Sequence, residues 1–166
     1  TEWLAELGLV VEAARLDGSD VVRGAQLLNK TNQMNLRTRR LTQTELLEWS
    51  HQPGHAVFVF GVSDRFGDYG LTGLASLKGE GGCAQIADFL LSCRVMGRGV
   101  ESAMLYFLIE QARSQGFREL MSEYKPTRRN SPCLAFFDSV SGFRREGDNF
   151  WWDTQARCVL PEHITL

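Results

Sequence analysis

Hydrophobic positions along this chain change period several times, and each change marks an element. Residues 8–16 are apolar enough, with Val10 and Val11 among them, to predict a first strand. Gly18-Ser19-Asp20 follow, with Asp20 placed to cap a helix running to about Lys30. Residues 31–40 are polar, and a short helix near 43–50 opens with Thr42 as its cap. His51-Gln52-Pro53-Gly54 break that helix. Residues 57–62 form a strand by β-branched and aromatic content, 65–70 a tight turn, and 71–78 the antiparallel partner. A second turn at 79–82 leads to a strand over 83–93. Val100, Ala103, Met104, Phe107 and Leu108 then recur at helical spacing, and Gly116 suits the position just past that helix. A strand over 118–124, a short helix over 130–141 and one or two strands over 143–153 complete an α/β (α+β) pattern.

Composition narrows the class. With 166 residues and 43% hydrophobic content, one domain over 1–166 can bury its own core. The net charge of −2 argues against broad nucleic-acid binding, which needs a basic face. No run approaches the roughly 20 apolar residues of a membrane span. No signal peptide is visible in Thr1-Glu2-Trp3-Leu4, and the missing initiator Met points to a processed chain or an excised domain. The four cysteines form no CxxC pair, which with the rest of the chain suggests a cytoplasmic setting. His51 and His55 are spaced i, i+4, but Pro53 and Gly54 between them exclude a helical metal face, so no metal is expected.

The densest chemistry lies in Cys93-Arg94-Val95-Met96-Gly97-Arg98-Gly99-Val100-Glu101, where a buried strand hands over to a helix N-terminus. Free N–H groups and the helix dipole suit phosphate there, and glycines let the backbone approach an anion closely. A thiol in that position, beside Arg94 and Arg98, is biased toward thiolate and nucleophilicity. The other reading of Cys93 is a small buried hydrophobe at a strand end. Asn32, Gln33 and Asn35 put three amides in four residues, able to donate to and accept from a polyol or simply to cap and turn the chain. Arg40 can pair with a carboxylate or phosphate, and Asp68, in a glycine-flanked turn, can act as a base or serve the turn alone. Arginine clusters at 37–40, 128–129 and 144–145 are candidate docking points on an otherwise acidic chain.

The element order, together with Arg94-x-x-Gly97-x-Gly99 and the later Asn130, Ala135, Phe136 or Phe137, Gly142 and Phe143, resembles the GCN5-related N-acetyltransferases. That resemblance implies a mixed, mostly antiparallel sheet flanked by helices, and a loop holding the pyrophosphate of acyl-CoA. The position that often carries a Tyr acid in that family is Phe137 or Asp138 here. Segments 26–35, 65–70 and 91–98 are more narrowly similar to the C-terminal part of FkbH-like proteins, which load a glyceryl unit onto an acyl carrier protein in polyketide pathways. In that family a haloacid-dehalogenase-type phosphatase domain precedes this part, and no Asp-x-Asp motif for it occurs here. The resemblance implies an enzyme thioester, for which Cys93 is the first candidate and Cys133 the second. It further implies Arg94, Gly97, Arg98, Gly99 and Asn130 toward a carrier-bound phosphopantetheine or CoA, with Asn32, Gln33, Asn35 and Asp68 around the acyl group. A conventional acyl-CoA-dependent N-acetyltransferase and a non-catalytic carrier-docking module are the two alternatives.

Overall fold

The computed structural model describes residues 2–166. In chain order it contains helix α1 (Glu2–Leu7), strand β1 (Leu9–Arg15), helix α2 (Val21–Lys30), strand β2 (Met34–Asn35) and helix α3 (Gln43–Ser50). Strands β3 (His55–Asp64), β4 (Gly67–Glu80) and β5 (Cys83–Leu91) follow, then helix α4 (Val100–Ser114) and strand β6 (Glu119–Glu123). Helix α5 (Ser131–Ser139) and strands β7 (Arg144–Glu146), β8 (Asn149–Asp153) and β9 (Ile164–Thr165) end the chain. The strands form one sheet in the order β7-β8-β6-β5-β4-β3-β1-β9, with β2 paired to β5. Among the described residues only β5–β6 and β1–β9 run parallel, so the sheet is mixed and mostly antiparallel, as expected.

Period-2 alternation along β3 explains the layering. Val57 and Val59 join Leu74, Leu90, Leu28 of α2 and Leu46 of α3 in one apolar cluster. Phe58 and Phe60 face the opposite way, into a larger cluster with Met104 and Leu108 of α4 and Phe137 of α5. Helices α2 and α3 therefore cover one face of the sheet, and α4 and α5 the other. Thr42 caps α3 as predicted, through a full capping box with Glu45. Asp20 precedes α2 but makes no side-chain cap; its carboxylate takes the Asp17 N–H at 3.4 Å instead.

Asp88 of β5 pairs with Ser76 of β4 on the α2/α3 face, just before a register shift at Leu77. Asp88 is buried, and Arg39 reaches it with Nε on Oδ1 (3.0 Å) and Nη2 on Oδ2 (2.5 Å). The Ser76 hydroxyl donates to Oδ2 as well, at 2.7 Å. A carboxylate taken out of water is costly to fold around unless it is paired and hydrogen-bonded in this way. The Arg39 guanidinium also lies 4.7 Å over Trp49, whose ring stacks on His55 at 4.0 Å.

Strands β5 and β6 pair only over Cys83–Ile86 and Glu119–Ser122, then part toward their carboxyl ends. In open α/β sheets that crevice is where ligands bind. Here the chain fills it with its own backbone. Met34 and Asn35 pair with Leu91 and Leu90, the Leu36 N–H donates to Phe89 O at 3.0 Å, and the Lys125 N–H donates to Leu36 O at 3.0 Å. Met34, Asn35 and Leu36 are all buried. The polar stretch over residues 31–40 thus contains a core strand, because tertiary pairing overrides its local composition.

Candidate functional site

Strand β5 ends at Leu91 rather than at residue 93, since the Ser92 N–H turns to Thr72 O and the Ser92 hydroxyl caps a 3-10 turn, Cys93–Val95. Cys93 opens that turn and is exposed. It lines a hollow of about 480 Å³ with Asn32 and Gln33, bounded by α2 on one side and by Arg129 on another. That size suits a small ligand. Cys93, Asn32 and Gln33, singled out in separate parts of the chain, therefore meet.

The remaining candidates go elsewhere. Arg40 supports the wall from behind: its guanidinium donates to the Asn32 Oδ1 at 2.7 Å, to Thr31 O at 3.3 Å and to Leu28 O. Asn35 is buried with its Nδ2 on Thr31 O (3.0 Å) and its Oδ1 accepting from the Thr38 N–H (2.9 Å). It holds the chain turn after β2 and leaves nothing for a ligand. Asn130 is equally committed. Its Oδ1 accepts from the Tyr124 hydroxyl (2.7 Å) and the Thr127 N–H (2.8 Å), and its Nδ2 donates to Asn35 O (3.0 Å) and Lys125 O (2.8 Å). Asn130 clamps the strand in the crevice. Asp68 lines a different hollow, with Glu12 and Ser63, and accepts the Gly70 N–H at 2.7 Å, so it does not share the Cys93 pocket.

The loop over residues 94–99 is partly engaged by the chain itself. The Gly97 N–H donates to the Glu101 carboxylate at 2.7 Å, which puts the chain's own anion, nearly buried, in the cradle. Arg98 pairs with Asp64 at 3.5 Å and with the Tyr69 hydroxyl at 3.3 Å. Arg94 is exposed and reaches Tyr69 O at 3.4 Å. Gly99 adopts φ +89°, and a Cβ there would stand 2.8 Å from His163 Nε2, which bonds the Arg98 carbonyl at 2.6 Å. The C-terminal segment thus closes one side of the loop. The Gly97 amide and the Arg98 side chain are thus held by the chain's own carboxylates, while Arg94 stays exposed.

Cys133, the second thiol considered, has no solvent contact, and burial pushes its pKa up to about 12, partly opposed by a hydrogen bond from the Asn35 backbone. Burial, more than the nearby Glu119, raises Cys83. Cys158 is raised chiefly by burial as well. The arginine clusters at 37–40 and 144–145 are spoken for: Arg37 faces Glu123, Arg144 faces Glu146 and Arg145 faces Asp138. Sequence reasoning missed Arg23 and Lys30 of α2, which line the Cys93 hollow with Gln26. Their i, i+3, i+7 spacing is a polar stripe on one helix face, a signal that was there to be read. Among the described residues no group of three or more His, Cys, Asp or Glu is placed to hold a metal. None of their helices is long and apolar enough to cross a membrane.

Solved structures with the same architecture settle its type. A ribosomal-protein alanine N-acetyltransferase from Escherichia coli superposes with a TM-score of 0.63 over 89% of this chain and 96% of its own, at 11% identity. The fold is that of the GCN5-related N-acetyltransferases. The spermidine/spermine N-acetyltransferase SpeG from Vibrio cholerae, in complex with manganese ions, gives 0.62 over 91% and 95% at 14% identity. The PaiA N-acetyltransferase from Thermoplasma acidophilum, solved with coenzyme A, gives 0.65 over 86% and 98% at 15% identity. At these identities the likeness is one of fold. No family model matches the sequence, and no curated protein matches it.

Proposed function

We propose that this domain carries a glyceryl-type acyl group on the Cys93 sulfur and passes it to the phosphopantetheine thiol of an acyl carrier protein. The observation that supports this reading is the hollow at the carboxyl end of β5, where an exposed thiol shares a wall with the Asn32 and Gln33 amides. The similarity of segments 26–35, 65–70 and 91–98 to FkbH-like proteins names the acyl group, the carrier and the polyketide setting. The same similarity implies a haloacid-dehalogenase-type phosphatase domain, in the parent chain or the pathway, as the source of the acyl group. The acetyltransferase fold agrees with acyl transfer in general.

The chemistry has two steps. The Cys93 sulfur adds to the carbonyl of an acyl phosphate, its proton passes to water, and the bond to phosphate breaks with the electron pair leaving on oxygen. The pantetheine sulfur then adds to the thioester carbonyl while its proton passes to water, and the Cys93 sulfur departs and is reprotonated. Amides suit the hydroxyls of a glyceryl group because they donate and accept at once. Nothing is oxidised or reduced.

Intact-mass spectrometry of the wild type and Cys93→Ser, each given an acyl donor and holo carrier protein, tests this. A glyceryl adduct on the wild type that is absent from Cys93→Ser supports the reading. Loading that persists in Cys93→Ser overturns the nucleophile. Amine acetylation from acetyl-CoA, unaffected by Cys93→Ser, makes the domain a conventional N-acetyltransferase, and carrier binding without loading makes it a docking module.

A further inference from the structure

We infer that Arg23, Lys30 and Arg129 form the phosphate site of the Cys93 hollow, in place of the glycine loop that the fold offers for that purpose. This deepens the reading of Cys93 as the acyl carrier and rests on it for the identity of the pocket. The three cations line one hollow whose walls contain no Asp or Glu, although the chain as a whole carries a charge of −2. Among the described residues none of the three makes a salt bridge, so each keeps its charge for a ligand. Arg23 is partly anchored, its Nε on Leu71 O at 3.0 Å, which aims the guanidinium while leaving donors over.

A second observation concerns the end of α2. A helix C-terminus presents the negative end of its dipole and repels an anion placed beside it. Here the α2 C-terminus borders the hollow through Lys30 and Thr31. Arg40 takes up the carbonyls of Leu28 and Thr31, and Lys30 stands in the last turn. The helix end that would repel phosphate is therefore met by the Arg40 cation. The glycine loop shows the reverse: Glu101 holds its Gly97 amide and Asp64 holds Arg98. Arg and Lys together suit a phosphate ester, which accepts from a planar fork and a point charge alike.

The ligand chemistry is an organic phosphate whose other end reaches the Cys93 sulfur. Two sources carry it, the phosphodiester of a carrier-bound thiol arm and a small phosphorylated acyl donor. Calorimetric titration of the whole chain in its Cys93→Ser form, which removes the exposed thiol from the hollow, separates them with two pairs of probes. These are pantetheine 4′-phosphate against pantetheine, and glycerol 3-phosphate against glycerol. At least one phosphate ester should bind at least tenfold more tightly than its unphosphorylated partner, about 1.4 kcal/mol, and the pair that does so names the source. The Arg23→Gln/Lys30→Gln/Arg129→Gln variant should bring each pair within about twofold, and raised salt should shrink the preference. If that triple variant folds poorly, Lys30→Gln alone, at an exposed position, should cut the preference about threefold. Equal binding within both pairs overturns the inference. So does a preference that survives the triple variant and vanishes in Arg94→Gln, which would return phosphate to the loop. Because the titration uses Cys93→Ser, a failure of acyl loading at Cys93 leaves its outcome readable on its own.

Discussion

Replacing Asn130 with Ala should cost about 4 kcal/mol of folding stability, and the structure says where the loss arises. The side chain has no solvent contact and makes four hydrogen bonds. Its removal leaves the Tyr124 hydroxyl and Thr127 N–H without an acceptor, and the carbonyls of Asn35 and Lys125 without that donor. Each buried group left unpaired costs about 1–3 kcal/mol. Relaxation and water entry recover part of this, so half of the four at about 2 kcal/mol each gives the figure. Against a typical stability of about 5–15 kcal/mol the change is large. Urea unfolding with an unchanged m-value measures it, and hydrogen exchange locates it at the amides of Leu36 and Lys125. Asn130→Asp should cost as much, because it keeps the two acceptors but turns a carboxylate oxygen toward two carbonyls. A loss below about 1 kcal/mol, with those two amides as protected as before, would refute the clamp. It would restore Asn130 as a ligand contact, whose removal lowers affinity and spares the fold.

Thiol labelling of the native chain should modify Cys93 first and Cys133 only on unfolding; early Cys133 labelling would contradict its burial. Between pH 9 and about 12 the unfolded chain releases the Cys133 proton that the folded chain keeps. Stability should therefore fall as pH rises through that window, by up to about 1.4 kcal/mol per pH unit, and Cys133→Ala should flatten the slope relative to wild type in paired unfolding curves. Gly99→Ala combines a left-handed φ with a clash on His163, so a loss of about 2 kcal/mol is expected by thermal denaturation, and an unchanged Tm would mean that the C-terminal segment does not pack there. Asp88→Asn leaves the half-buried Arg39 without its counter-charge and should cost about 1.5–3 kcal/mol in urea unfolding, with a neutral result showing the pair to be dispensable.

Period and capping made most of the fold legible. Val100, Ala103, Met104 and Leu108 do form the buried side of α4, and Thr42 does open α3. The β3–β4–β5 meander follows from alternation and two tight turns. What stayed hidden depends on distant partners. Nothing local in Met34-Asn35 marks a strand, since its pairing comes from β5 and its burial from the divergence of β5 and β6. Helix α1 and strand β9 are too short for a period to register. At the site, Cys93, Asn32 and Gln33 were readable as chemistry because reactive and amide side chains cluster in the sequence. Glu101 was not, because an acidic residue in a first helical turn is also an ordinary dipole partner. Asn130 was misread for a related reason: a buried clamp and a ligand contact use the same amide.

Strand β2 also constrains the order in which the molecule assembles. Two residues cannot hold themselves in place, and their partners lie at 89–91, 125 and 130, the farthest bond joining residues 95 apart in sequence. Docking of β2 must follow closure of the β5–α4–β6 crossover and arrival of Asn130, so it is a late event set by long-range contacts. Unfolding should correspondingly begin with release of residues 31–40, before the β3–β4 pairing is lost. Pulse-labelled refolding should see the Leu36 amide protected after those of β3 and β4, which pair with near neighbours along the chain.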